Sequence, residues 1–231
     1  MQYLDFASIF ISFIVLLFSL TVHEMAHAWT ADRLGDPTAR LLGRVSLNPI
    51  VHADPIGTVL FPLISMVSGA TLIGWAKPVP VDTRRLQQPR RDYMLVAAAG
   101  PASNLVLAVF GAILLAIVPV SPQTLGESNV SVPIATLLTR LVNLNVLLAV
   151  FNMLPIPPLD GGRVAVGLLP SILARPLARL EPWGMLILIG FLIVLPVAGS
   201  QFGLNLDLVS GLLRATTDSL KQLLLLLTGN A

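Results

Sequence analysis

Hydrophobic positions gather into five runs along the chain, at residues 6–31, 56–73, 94–118, 132–154 and 183–197, and polar positions collect between them. A helix needs about 20 apolar residues to cross the hydrocarbon core of a bilayer. The first, third and fourth runs exceed that and predict three core transmembrane helices. The second run holds Gly57, Pro62 and Gly69, which predicts an interrupted segment, and the fifth predicts a shorter further span. The first helix should stop at residues 34–37, Leu-Gly-Asp-Pro, where Gly35 can take a left-handed cap and Pro37 cannot continue the spiral. The tail differs. Over residues 206–227, Asp207, Arg214, Asp218 and Lys221 fall within about 60° of one another on a helical projection, and leucines fill the rest. That pattern predicts an amphipathic C-terminal helix, interfacial or docked on the bundle, with Arg214 and Asp218 able to pair four residues apart. The fold class expected is all-α, a polytopic membrane helix bundle.

Composition agrees. Of 231 residues, 55% are hydrophobic and 11% charged, with a mean hydropathy of +0.84, whereas soluble domains carry roughly 25% charged residues. One integral-membrane unit over residues 1–231 is expected, with its core at 6–163 and accessory helices at 164–231. Cysteine is absent, which excludes disulfides and thiolate metal sites. No basic residue precedes the first run, and the run is too long for the core of a signal peptide, so no cleaved leader is expected.

The net charge is +2 and the arginines fall in clumps between apolar runs, without a basic stripe interleaved with aromatics. This argues for membrane topology and against a nucleic-acid partner. Arg33, Arg40 and Arg44 follow the first run, Lys77, Arg84, Arg85, Arg90 and Arg91 precede the third, and Arg163, Arg175 and Arg179 follow the fourth. Residues 119–133 carry no basic residue. The positive-inside rule then puts the basic connections in the cytoplasm and 119–133 outside. Both flanks of the second run share one side, so that run should dip into the membrane and return, or lie in a protein-lined groove, since irregular backbone at depth requires protein or water cover.

Against this background, residues 20–29 read Leu-Thr-Val-His-Glu-Met-Ala-His-Ala-Trp and hold two of the three histidines and one of the three glutamates within five residues. On a helix, His23 and His27 are one turn apart and project from one face, about 5–6 Å apart at Cβ. That suits two nitrogens on one metal ion at about 2.0–2.1 Å each. Glu24 lies about 100° round the helix, near enough to act on water at the metal without being a ligand. His-Glu-x-x-His on a helix is a zinc-hydrolase arrangement of two ligands and a general base. Each ionisable group deep in a membrane costs about 2.5–3.5 kcal/mol on insertion scales, and such groups are usually functional. The plainer alternative is a histidine pair hydrogen-bonded across the bundle, with Glu24 paired to an arginine.

A third protein ligand must come from elsewhere, and His52, Asp54, Asp82, Asp92 and Asp160 are candidates. Asp160 stands out because residues 151–163, Phe-Asn-Met-Leu-Pro-Ile-Pro-Pro-Leu-Asp-Gly-Gly-Arg, leave the cytoplasmic end of the fourth run, the end expected beside the histidine pair. Pro155, Pro157 and Pro158 forbid a regular helix there and leave backbone groups to hold an extended substrate strand. Gly161 and Gly162 should let the backbone turn tightly after the carboxylate, although Pro-Leu-Asp-Gly-Gly alone is an ordinary turn signature. His52 has two explanations: a hydrogen bond to a metal ligand or to an oxyanion, or a loop histidine bonded to backbone, with Asp54 as a turn residue before Pro55. Residues 77–81, Lys-Pro-Val-Pro-Val, suit either a partner for an unwound strand or a stiff surface loop.

Together, His-Glu-Met-Ala-His at 23–27 and the Asn-Met-Leu-Pro-Ile-Pro-Pro-Leu-Asp-Gly-Gly-Arg segment at 152–163 resemble the site-2 protease family, the intramembrane zinc metalloproteases. Residues 97–104, Ala-Ala-Ala-Gly-Pro-Ala-Ser-Asn, are similar to the Gly-Pro-x-x-Asn element of that family's middle core helix. The resemblance covers residues 6–163. It implies that His23, His27 and Asp160 hold one Zn2+ per chain, that Glu24 activates water, and that Asn152 binds substrate backbone or polarises its carbonyl. It also implies single-span membrane proteins as substrates, cut after local unwinding, and a bacterial inner (plasma) membrane location with the active site towards the cytoplasm. The chain looks like a short form without a PDZ insert or other appended domain, and residues 56–73 and 74–81 lie outside the core pattern. Two other classes compete. A transporter would line successive helices with polar residues, and the third and fifth runs carry almost none beyond Asn104. An inactive scaffold of the same fold would have no need to keep Glu24.

Overall fold

The structure, a computed structural model, describes residues 6–68, 74–118, 131–202 and 208–229. Among the described residues it consists of helices and connecting turns, with no strand. Helix α1 (Phe6–Arg33) ends where Gly35 takes a φ of +108°. The buried Asp36 then accepts the Thr38 amide at 3.0 Å and opens α2 (Thr38–Leu41). Asn48 caps α3 (Pro49–His52) through the Ile50 amide. Asp54 accepts the amides of Ile56 and Gly57 and starts a π-helical turn, Pro55–Leu60, that continues into α4 (Phe61–Ser68). Then come α5 (Pro89–Ile117), α6 (Ser131–Asn152), α7 (Asp160–Leu168), α8 (Ser171–Arg179), α9 (Gly184–Ile189), α10 (Leu195–Gln201) and α11 (Leu208–Leu227).

Among the described residues, four helical stretches are long and apolar enough to cross a membrane: Ala7–Arg33, Pro89–Ile117, Pro133–Asn152 and Ser171–Gln201. The chain is an all-α, polytopic membrane bundle. The last stretch is longer than the apolar run at 183–197, because α8, α9 and α10 follow one another along a single helical path. Arg175, Arg179 and Glu181 lie at its start and mask its extent in the hydropathy pattern.

The second apolar run does not form a long helix. The Trp75 amide donates to the Gly57 carbonyl at 3.0 Å, and Thr58 Oγ1 donates to the Trp75 carbonyl at 2.8 Å. The Trp75 ring lies 5.2 Å from that of Phe61, and a Cβ on Gly57 would meet the indole at 2.3 Å, so only glycine fits there. The chain therefore leaves at Gly57 and comes back beside it at Trp75. Gly69 and the rest of 69–73 lie outside the described residues.

Helix α5 is the centre of the bundle and packs on α1, α6 and α7. Lipid gives no hydrophobic drive between helices, so close backbone approach over small residues supplies the contact. Ala28 and Ala31 of α1 and Ala108 and Ala112 of α5 are fully buried. Helix α11 docks on this bundle: Leu224 joins Ala108, Ala112, Val142 and Val146, and Leu220 packs against them. Its ion pair is Asp218 with Lys221, at 2.8 Å. The i, i+3 partner replaces the Arg214 pairing expected from the sequence, and Asp207 lies outside the described residues.

Candidate metal centre

Two turns near the C-terminal end of α1 carry His23 and His27, both buried, with their Nε2 atoms 3.0 Å apart. Asp160 Oδ2 lies 3.2 Å from His23 Nε2 and 3.3 Å from His27 Nε2. The carboxylate reaches them because the proline-held loop after α6 ends at Asp160, the first residue of α7. Gly161 and Gly162 act differently from the turn expected of them. Both lie in the first turn of α7, where a Cβ on Gly161 would come within 2.3 Å of the Met153 carbonyl group and one on Gly162 within 2.8 Å of the Pro157 nitrogen. Their role is close approach of helix to loop, and this seats Asp160 against α1. The helix N-terminus also favours a negative charge at that position.

These separations test whether a zinc ion fits. Bonds of about 2.0–2.1 Å in a tetrahedral shell place ligand atoms about 3.3 Å from one another. The three observed distances, 3.0, 3.2 and 3.3 Å, lie close to that edge. The donor set of two imidazoles and one carboxylate suits zinc, and it leaves a fourth position to water. The His27 Nδ1–H donates to the Val96 carbonyl at 2.7 Å, and a carbonyl can only accept. His27 Nε2 therefore keeps its lone pair for a cation.

Helix α5 forms the wall behind the rings. A Cβ on Gly100 would stand 2.4 Å from His27 Nε2 and 2.6 Å from His23 Cε1, so the imidazoles occupy the space that a side chain would fill. Pro101, inside α5, has no N–H to donate to the Ala97 carbonyl four residues back. Asn104 Oδ1 meets His23 Nδ1 at 2.6 Å. The Gly-Pro-x-x-Asn element thus touches both histidines, a role that the sequence pattern alone did not assign. The fully buried Asn145 of α6, bonded to Asn104, was not singled out at all. An asparagine in an apolar run was the only signal for it.

Glu24, next to His23 on α1, accepts the Val79 amide on Oε2 at 3.2 Å. Val79 belongs to an extended strap, residues 74–82, tied at several points. The Lys77 amide donates to the His52 carbonyl at 2.8 Å, Arg44 donates to the carbonyls of Lys77 and Pro78, and the Asp82 amide donates to Asp36 Oδ2 at 2.7 Å. Pro78 and Pro80 have no N–H, so Val79 carries the one amide hydrogen between them, and it goes to Glu24.

The remaining candidates serve other ends. His52 is buried with Nε2 on the Ser46 carbonyl at 2.8 Å, and it supports the strap through its backbone instead of bonding a metal ligand. Asp54 caps the π-helical turn, Asp92 Oδ2 accepts the Gln88 amide at the start of α5, and Asp82 pairs with Arg84 and Arg85. The hydrogen bond from Arg84 holds the Asp82 carboxyl at about 2. Asn152 ends α6, and its Nδ2 donates to the Leu148 carbonyl at 3.0 Å.

Comparison with known proteins gives concordant results. The "Putative zinc metalloprotease YwhC" of Bacillus subtilis is 39% identical over 174 residues, covering 75% of this chain and 76% of that protein. The "Putative zinc metalloprotease Rip2" of Mycolicibacterium smegmatis is 35% identical over 77% of this chain and 64% of its own length, and the Rip2 of Mycobacterium tuberculosis strain H37Rv is 31% identical over 87% and 74%. No solved structure shows a significant match. Residues 11–196 match the Peptidase family M50, and the chain belongs to that family of membrane zinc metalloproteases, the site-2 proteases.

Proposed function

We propose that this metalloprotease works inside the membrane, hydrolysing peptide bonds within or beside the transmembrane segments of single-span membrane proteins. The observation that carries this is the convergence of His23, His27 and Asp160 at tetrahedral-edge distances, with Glu24 adjacent, on helices apolar enough to cross a bilayer. His23, His27 and Asp160 would hold the ion, and zinc bound there would supply Lewis acidity to polarise the scissile carbonyl and acidify water. Glu24 is the general base: it takes a proton from water and hands it to the leaving amine, a role worth about 10²–10⁴-fold in rate. The Val79 N–H holds Oε2 and leaves Oε1 free to face water. Asn152 uses one N–H on Leu148, and its second N–H is the donor for the substrate carbonyl.

A helical substrate keeps its carbonyls in its own hydrogen bonds, so local unwinding precedes attack. The strap at 74–82 and the proline-rich loop before Asp160, which folds through turns such as Leu159 N–H on the Ile156 carbonyl and is not the extended segment expected from its prolines, are the surfaces for the unwound strand. The clumped arginines support a site that faces the cytoplasm, and the bacterial relatives support a bacterial inner (plasma) membrane. The test is co-expression with candidate single-span substrates, wild type against Glu24→Gln. The wild type should yield the cleaved product, and Glu24→Gln should yield none while keeping its zinc. Equal cleavage by both refutes the mechanism.

A further inference from the structure

A line of buried polar side chains crosses three helices behind the ligands. Ser19 of α1, Asn104 of α5 and Asn145 of α6 are all fully buried. Asn145 Nδ2 donates to the Leu141 main-chain carbonyl at 2.9 Å and to Ser19 Oγ at 2.8 Å. Asn104 Nδ2 donates to Asn145 Oδ1 at 2.7 Å, and Asn104 Oδ1 meets His23 Nδ1 at 2.6 Å. The two ends of an amide have nearly the same shape, and an imidazole can protonate either nitrogen, so only the partners decide which way each group points.

One partner in this line has no freedom. The Leu141 carbonyl can only accept, so it selects the NH2 end of Asn145. That choice turns the Asn145 oxygen towards Asn104. Asn104 must then offer its NH2 to Asn145 and its oxygen to His23. An oxygen facing Nδ1 requires the imidazole proton on Nδ1. His23 Nε2 is left bare, 3.2 Å from Asp160 Oδ2.

We infer that Asn145 is a positioning residue: acting through Asn104, it imposes the Nδ1-protonated tautomer on His23 and so presents a bare Nε2 to the metal ion. The inference rests on the reading of His23 as a metal ligand. It differs from a packing role in one respect: packing depends on the volume at position 145, whereas this relay depends on an acceptor there. Leucine and aspartate both match asparagine in branching and in number of side-chain heavy atoms, although leucine is bulkier. Asn145→Leu removes the acceptor and frees Asn104 to reverse, while Asn145→Asp keeps an oxygen for Asn104 in either protonation state.

Two measurements on the purified full chain test this. The first is zinc affinity by competition with a chelator; the second is the 15N spectrum of metal-free, histidine-labelled protein, which has three histidines to assign. Asn145→Leu should weaken zinc binding about 10–100-fold, as expected for losing support behind a metal-binding histidine, while Asn145→Asp stays within about threefold. Ser19→Ala should bind zinc like the wild type, since the Leu141 carbonyl still orients Asn145. In the metal-free wild type, His23 should carry its proton on Nδ1. An Nε2–H tautomer there overturns the inference, even if Asn145→Leu does not fold. Wild-type zinc affinity in Asn145→Leu, or equal losses in both 145 variants, also overturns it. A wild-type chain that binds no zinc sinks the protease reading instead, and the metal-free tautomer still decides the relay.

Discussion

Gly100→Ala places one methyl group against the two imidazoles. Built on the existing backbone, its Cβ would lie 2.4 Å from His27 Nε2, 2.5 Å from His27 Cε1 and 2.6 Å from His23 Cε1. Relaxed non-bonded contacts between heavy atoms sit at about 3.5–4.0 Å, so each ring must retreat by about 1 Å or α5 must move off α1. Neither has room to yield. The rings are held through their Nδ1 atoms by Val96 and Asn104, and α5 is packed on three helices. Overpacking of this kind costs about 1–3 kcal/mol. Metal–ligand distances tolerate about 0.2 Å, so a ring displaced by about 1 Å is out of bonding range. The expected result is less than one zinc per chain, lower thermal stability and at least ~10²-fold slower cleavage, as misplacement by about 1 Å can cause. Gly111→Ala is the matched control, because the atoms nearest its Cβ belong to Leu141 and Val142, at 3.2 Å, and not to the imidazoles, so it should keep its zinc. The assay is metal content and thermal unfolding of both variants in detergent, followed by substrate cleavage. Full zinc occupancy with wild-type cleavage in Gly100→Ala would show that the rings do not lie against α5.

Gly161→Ala drives a Cβ to 2.3 Å from the Met153 carbonyl group, where no side chain can rotate aside. It should lose about 1–3 kcal/mol or more of stability together with zinc, and an unchanged melting temperature counts against it. Val79→Pro deletes the amide hydrogen that holds Glu24, whereas Val79→Ala keeps it. A hydrogen bond to a charged group is worth about 1.5–3 kcal/mol, so kcat should fall about tenfold or more in the first variant only; equal rates in the two would dismiss the contact. Burial holds His52 below its ordinary value, the bond to the Ser46 carbonyl opposes this, and the Arg44 guanidinium adds to it. The folded pKa lies below the unfolded value, so the contribution of His52 is complete above about 6.5 and is lost as pH falls through the folded pKa. Melting temperature should decline on acidification below pH ~6.5, and His52→Gln should flatten that slope; an unaltered slope removes His52 as the cause.

The long spans were legible because lipid demands unbroken apolar helices, and the histidine pair because its spacing is local to one helix. Element starts were less so: α5 begins at Pro89, ahead of the apolar run at 94, since Arg90, Arg91 and Asp92 fill its first turn. The approach of Asp160 to α1 could be argued from topology, but the means by which it arrives could not. Gly161 and Gly162 read as turn residues in one dimension, and only packing against Met153 and Pro157 shows them as contact surfaces. The partners of the site are mostly backbone groups, the Val96 carbonyl and the Val79 amide, and a backbone group leaves no mark on residue identity. Asn145 is visible as a letter and silent as a role until three helices stand together.

The donor set is divided between α1 and the first residue of α7. While the polypeptide is still emerging from the ribosome, the imidazole pair enters the membrane long before the carboxylate has been synthesised. A nascent or truncated chain therefore carries the most recognisable part of a hydrolytic centre without the ability to close it. The candidate site can therefore be completed only after the later helices have been inserted.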